Sequence, residues 1–321
     1  MRILRVWCLV LLLSLVSAFA RAQATAAKCV AEHYKVVVVP LQPSRVNNSG
    51  QVAGSTEDRA AVWSRKDGLR ELPLPSGFSS ARASGLNEQG DVVGHATKGD
   101  SGEPRAFEYS HGKAVMLSAS RSQAVAINNA GEIVGEENPS GPALWRKDRA
   151  THLGACCGGK ALAINSHGQV VGQLSDHQGR YRAFLWDAKG GFQNIGSSEG
   201  YSSALAINDA GHILIQAFSA GVFLHESAKD TPLPLSPNSA NRPMALSNCD
   251  VVVGAFGPSS DYNHAFAWDK KYGLRDLNTV VDSGSGWILR MATDINDAGE
   301  IVGTGQYMGK EDVGFLLTPG P

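Results

Sequence analysis

One nine-residue pattern recurs seven times along the 321-residue chain. It runs aliphatic, Asn, two variable residues, Gly, one residue, two aliphatics, Gly. It reads VNNSGQVAG from Val46, LNEQGDVVG from Leu86, INNAGEIVG from Ile127 and INSHGQVVG from Ile164. It continues as INDAGHILI from Ile207, LSNCDVVVG from Leu246 and INDAGEIVG from Ile295. The Asn-equivalent positions 47, 87, 128, 165, 208, 247 and 296 are separated by 40, 41, 37, 43, 39 and 49 residues. Such a period belongs to propeller blades or helical arrays, and these residues exclude helices. Asn-x-x-Gly between aliphatic runs is a hairpin turn: the Asn side chain bonds backbone two residues on, and Gly supplies the positive φ that follows.

A second motif follows each hairpin. It is Ala-Val-Trp at 61–63, Ala-Phe-Glu-Tyr at 106–109, Ala-Leu-Trp at 143–145, Ala-Phe-Leu-Trp at 183–186, Val-Phe-Leu-His at 222–225, Ala-Phe-Ala-Trp at 265–268 and Gly-Phe-Leu-Leu at 314–317. Aromatic and apolar residues in short runs read as a third strand. Segments such as 68–72, 191–195 and 273–277 supply a fourth. Four strands in about 40 residues is one propeller blade. The seventh unit lacks a fourth strand, and a spare strand, Tyr34 to Val39, precedes the first. Pairing the two closes a ring and leaves no free edge at the seam. An open solenoid needs no such complementarity and wants polar caps. The expected fold is therefore all-β, a seven-bladed β-propeller over 34–318, with Tyr34 to Val39 lying beside Phe315. A short segment, 23–33, precedes it, and 319–321 form a tail.

Residues 1–22 read as a signal peptide. Arg2 and Arg5 form a positive start, Leu9 to Val16 a short apolar core, and Ala20-Arg21-Ala22 a small-x-small cleavage site. The apolar run is too short for a bilayer span. A secreted or periplasmic protein, free of the membrane after processing, is expected. Losing Arg2, Arg5 and Arg21 from 29 basic residues leaves 26 against 30 acidic ones. That balance gives no basic excess for nucleic acid. Cys29, Cys156, Cys157 and Cys249 remain. Four cysteines allow three pairings and are too few to hold a fold of this length. Ring closure would bring Cys29 and Cys249 to the Asn-Gly face in neighbouring blades, which makes them the most feasible long-range disulfide.

The chain resembles the extracellular HAF repeat family. His264-Ala265-Phe266 matches its tripeptide, and Arg105-Ala106-Phe107 and Arg182-Ala183-Phe184 come close. The Ile-Asn-Asp-Ala-Gly cores at 207–211 and 295–299 fit the family, as does Asp276-Leu-Asn followed by Gly284-Ser-Gly-Trp-Ile-Leu289. The resemblance spans roughly residues 34–317 and implies bacterial export and a propeller-like fold, with no established activity. Two units depart from it. Ile215 replaces the closing Gly of unit five, and Ser247 and Asp250 replace Asn and Gly in unit six. Altered turns are expected there.

No catalytic residue, metal site or cofactor is assigned from the sequence. Gly99-Asp-Ser-Gly102 lacks the His and Asp partners of a serine protease. Gly196-Ser-Ser-Glu-Gly200 joins strand to strand, whereas a nucleophile elbow joins strand to helix. No His pair has metal-ligand spacing. Asp209 and Asp297 are explained by their turns, without calcium. The tryptophans at 63, 145, 186 and 268 recur at one strand position, as packing between blades requires.

Binding residues are expected on the face opposite the Asn-Gly turns, where the loops vary in length. Five residues before each repeat position stand Gln42, Arg82, Gln123, Lys160, Ser203, Arg242 and Met291. In a closed ring they surround one channel mouth, where Arg82, Lys160 and Arg242 are either a solvated rim or a site attractive to an anionic ligand such as an acidic glycan. The loops of this face add His177, Tyr262 and His264. Trp287 and Arg290 lie in the longest inter-repeat segment, where Trp287 is either a packing plug or an exposed contact. The expected function is an extracytoplasmic binding or scaffold module, a monomer, for a carbohydrate or cell-surface component. The alternative is a polysaccharide lyase or hydrolase with its site at the channel mouth.

Overall fold

The computed structural model describes residues 30–99, 102–147, 149–154, 158–196, 200–218, 220–227, 229–235, 241–258 and 263–320. They form seven four-stranded antiparallel sheets arranged as blades around a central channel. Within a blade the chain runs outward. In blade two the innermost strand is Ser80–Leu86, followed by Val92–Thr97, Arg105–Ser110 and Lys113–Met116.

The repeat's Asn builds the turn. Asn47 Oδ1 accepts from the backbone N–H groups of Ser49 and Gln51 at 3.1 and 3.0 Å. Gly50 follows at φ +71°, a region where a Cβ is strained. The expectation of altered geometry in unit six is corrected by the structure. Ser247 Oγ accepts the same two bonds, from Cys249 and Val251, at 3.3 and 3.2 Å. Asp250 takes the glycine conformation at φ +61°, which a short polar side chain tolerates.

The closing Gly has a separate cause. Each innermost strand carries a bulge at the middle of its pairing with the second strand. The bulge brings a carbonyl against the closing Gly: a Cβ on Gly94 would meet Arg82 O at 1.9 Å, and one on Gly303 would meet Met291 O at 2.0 Å. Blade five keeps the bulge and pairs Ala204 with Ile215, so its Ser203 carbonyl must stand clear of the Ile side chain.

Apolar faces of adjacent blades pack in seven clusters, one per interface. Phe107, Phe184, Phe266 and Phe315 are fully buried, and Trp63, Trp145 and Trp268 lie in the same layers. The recurrent third-strand aromatics are thus packing residues, and their burial is the main cohesive term between blades.

The Asn also ties blades together. Its Nδ2 donates to the repeat-position carbonyl of the next blade: Asn47 to Asn87, Asn128 to Asn165, Asn165 to Asn208, Asn208 to Ser247 and Asn296 to Asn47, at 2.9–3.2 Å. The following residue forms a second ring. Asn48, Asp209, Asn248 and Asp297 each donate a backbone N–H to the corresponding side chain of the next blade.

The ring closes as expected. Tyr34–Val39 pairs antiparallel with the strand Lys310–Pro319, with Val38 opposite Phe315, and becomes the outermost strand of blade seven. The pairing reaches Pro319, one residue beyond the expected propeller boundary. Cys249 is disulfide-bonded, and its expected partner Cys29 lies outside the described residues. Among the described residues, no helix is long and apolar enough to cross a membrane.

Candidate ligand-binding mouth of the channel

The channel has two unlike ends. At the Asn-Gly end a cavity of about 260 Å³ is ringed by the seven turns. Its carboxylates on Glu88, Asp209 and Asp297 are engaged by backbone or amide donors of neighbouring blades. They complete the inter-blade ring described above.

The opposite end carries the seven residues five positions before each repeat Asn. Six of them begin or lie near the start of an innermost strand and so face one end of the ring, whereas Met291 lies midway along the longer strand Trp287–Ile295. Cross-strand partners extend the polar rim: Arg82 pairs with His95, Gln123 with Glu136, Lys160 with Gln173 and Ser203 with Gln216. Lys160 Nζ donates to Gln123 Oε1 at 3.1 Å and lies 3.7 Å from Glu136. Burial holds the His95 imidazole below its ordinary pKa, and the charges of Lys160 and Arg82 lower it further. Residues from blades two and four therefore share one electrostatic environment at this mouth.

Arg82 also borders the largest of the described cavities, about 820 Å³, at the closure seam. Gln42, Ser55, Glu57, Lys310 and Asp312 line it with Arg82. Arg242 occupies the equivalent rim position in blade six and is exposed. Arg290 adjoins Met291, the rim residue of blade seven, at a bulge.

The remaining expected contacts are dispersed. Trp287 is only 9 % exposed and stacks on Tyr307 at 4.7 Å, edge-on to Phe315. Of its two expected roles, ligand contact or packing plug, this burial fits the packing plug. His264 bonds Asp276 of the outermost strand at 2.6 Å through Nδ1, which directs it to the blade's periphery rather than the mouth. His177 is exposed at the tip of the 176–180 hairpin, where Asp176 caps the turn and binds Arg180. Tyr262 lies outside the described residues.

Two features of this molecule have no local sequence signal. His212, Glu226 and Asp250 place one ligand atom each within 4.8 Å of one another. Lys270 Nζ stands 2.5 Å from Glu226 and 3.3 Å from Asp250, so an internal cation already serves both carboxylates. The second feature is an exposed aromatic pair, Tyr201 and Phe218, on the loop face of blade five. Both residues sit in variable loops, and only the fold makes them neighbours.

No protein-family model matches the chain, and no curated protein does. Solved propellers do. The chain is similar to selenomethionine-substituted virginiamycin B lyase from Staphylococcus aureus, with a TM-score of 0.60 and 12 % identity over 89 % of this chain and 99 % of that one. It is similar to YCF48 bound to D1 peptide, with a TM-score of 0.58 and 10 % identity over 89 % and 97 % of the two chains. The WD40 β-propeller domain of Doa1 gives a TM-score of 0.57 and 11 % identity over 89 % and 96 %. At these identities the likeness is one of fold, which hosts enzymes and binding modules alike.

Proposed function

We propose that this protein is an extracytoplasmic binding module that takes an anionic polysaccharide at the loop-face mouth of its channel. The observation that carries the reading is the recurrence of Arg82, Lys160 and Arg242 at equivalent positions of three innermost strands, with Arg82 opposite His95. Cations grouped around a channel focus potential and raise the local concentration of the opposite charge. The Glu136 carboxylate near Lys160 does not cancel this. Both side chains are partly exposed, and such pairs are worth about 0–1 kcal/mol, so Lys160 can turn to a ligand at little cost. Side-chain amides on Gln42, Gln123, Gln173 and Gln216 suit the hydroxyls of a sugar. The signal-like residues 1–22 support export to a compartment where polysaccharides are met.

The test is retention on immobilised polygalacturonate, with its neutral methyl ester as control. The wild-type protein is expected to bind the acid form in a salt-sensitive way. Arg82→Ala with Arg242→Ala is expected to abolish retention, and unchanged retention overturns the reading. Chain-length analysis of the eluted polymer tests the enzymatic alternative, since a lyase or hydrolase would shorten it.

A further inference from the structure

We infer that Tyr201 and Phe218 of blade five form a sugar-stacking platform beside the basic mouth, specific for a carboxylate-bearing oligosaccharide. This rests on the reading of the mouth given above and assigns it a second, apolar subsite.

The two rings are 47 % and 67 % exposed, and meet edge to face with centroids 6.5 Å apart. Single exposed apolar residues need no explanation. Two aromatics in mutual contact are different, because together they offer a continuous apolar surface that water covers unfavourably. Neither ring belongs to any of the seven inter-blade clusters, so packing of the fold does not account for them.

Their placement is held by the rigid part of the blade. Tyr201 immediately precedes the innermost strand Ser202–Ile207, and Phe218 immediately follows the second strand Ile213–Ala217. Ser202 pairs with Ala217, which sets the two aromatics side by side. The Phe218 N–H donates to the Tyr201 carbonyl at 3.0 Å. From blade four, the Arg182 guanidinium donates to the carbonyl of Gly200 and braces the residue before Tyr201.

Charge selects the occupant. Tyr201 stands two residues before Ser203, the rim residue of blade five, and the rim residues of the flanking blades are Lys160 and Arg242. An aromatic surface on a blade whose two neighbours each carry a rim cation fits a sugar chain whose rings stack while its carboxylates reach the rim. Tyr201 adjoins the inner edge strand of blade five, and an extended peptide, which gains its affinity from a sheet edge, is the competing occupant that an acidic peptide probe tests. The two subsites divide the labour: the cations set charge preference, and the aromatics set the preference for chain length.

Calorimetric titration separates the two claims. The probes are galacturonic acid, its octamer, the methyl-esterified octamer and an acidic peptide, oligoglutamate. Tyr201→Ala with Phe218→Ala is expected to weaken octamer binding about tenfold, with the slope of affinity against salt unchanged. Phe218→Trp is expected to retain it. If the double variant binds the octamer as wild type does while Arg82→Ala/Arg242→Ala loses binding, the platform is overturned and the mouth reading stands. If the platform variant weakens binding and the arginine variant does not, the mouth reading fails and the platform stands. Wild-type protein that ignores the octamer overturns both. Oligoglutamate binding of equal strength with equal dependence on Tyr201 and Phe218 overturns the assignment to sugars. Unchanged melting temperatures in the variants confirm that only the surface was altered.

Discussion

Asp250 of blade six holds the Nδ1 of His212 of blade five at 2.6 Å, and does so from a position where other repeats carry Gly. Asn208 Nδ2 donates to the same carboxylate at 2.9 Å, and Lys270 approaches its other oxygen. The residue that breaks the repeat thus joins two blades. Burial pushes the Asp250 carboxyl up, but His212, Asn208 and Lys270 outweigh it and hold the group below the usual range. Glu226 is lowered chiefly by its bond from Lys270.

Asp250→Ala should therefore lower stability by about 1–3 kcal/mol at neutral pH. The variant loses the three partners and leaves a Cβ at positive φ without a compensating side-chain bond. A depressed carboxylate contributes above its ordinary range, and the contribution is lost as pH falls through its folded value. The gap between wild type and variant should narrow below about pH 4. Urea melts across that range provide the measurement; a gap independent of pH would refute the electrostatic part.

The seam between blades seven and one carries the opposite sign. Asp294 is half-buried on the innermost strand of blade seven, and its carboxyl is pushed up to about 6, chiefly by desolvation, against the opposing effects of Arg45 and the Val46 N–H. A raised acid is a liability once deprotonated. Stability is greatest below its ordinary value and falls as pH rises toward 6. Asp294→Asn, whose amide oxygen can still accept the Val46 N–H, should stabilise the protein at neutral pH by at most about 3 kcal/mol. The gain should vanish near about pH 4, which thermal melts at the two pH values would show.

Blade six lacks the Asn ladder because Ser247 is too short to reach blade seven. Ser247→Asn should add a bond to the Asn296 carbonyl and raise stability by about 0.5–1.5 kcal/mol. Asn165→Ala should cost more, about 2–4 kcal/mol, since it removes one inter-blade bond and two turn bonds from a buried site. Equal and small effects in both variants would mean that the ladder follows packing rather than supports it.

At the mouth, His95 is neutral at pH 7 because burial, Lys160 and Arg82 depress its pKa. Lowering pH through the depressed value of its imidazole, which lies below the ordinary one, should charge it and tighten binding of the acidic octamer, while His95→Gln should flatten that rise. The comparison must stay above the carboxylate range, so that the ligand keeps its charge.

Much of this was legible in the chain itself. Seven Asn-x-x-Gly turns, the third-strand aromatics and the spare strand at Tyr34 to Val39 specify blades and closure, because each rests on local backbone preference or a period of two. The closing Gly was visible as a pattern, but its cause, a bulge carbonyl within about 2 Å of its missing Cβ, was not. Ser247 and Asp250 looked like defects and prove to be a working turn, since hydrogen-bonding capacity and tolerance of positive φ matter more than residue identity.

The sequence by itself determined the repeat count, the turn chemistry and the strand that closes the ring. Position in a closed ring of repeats follows from register alone. Only the tertiary structure decided what spans two blades or two loops. It buried Trp287, sent His264 to the periphery, brought Lys160 against Gln123, and set Tyr201 against Phe218. Those relationships depend on how far each blade turns relative to the next and where each loop ends. No period along the chain encodes either one.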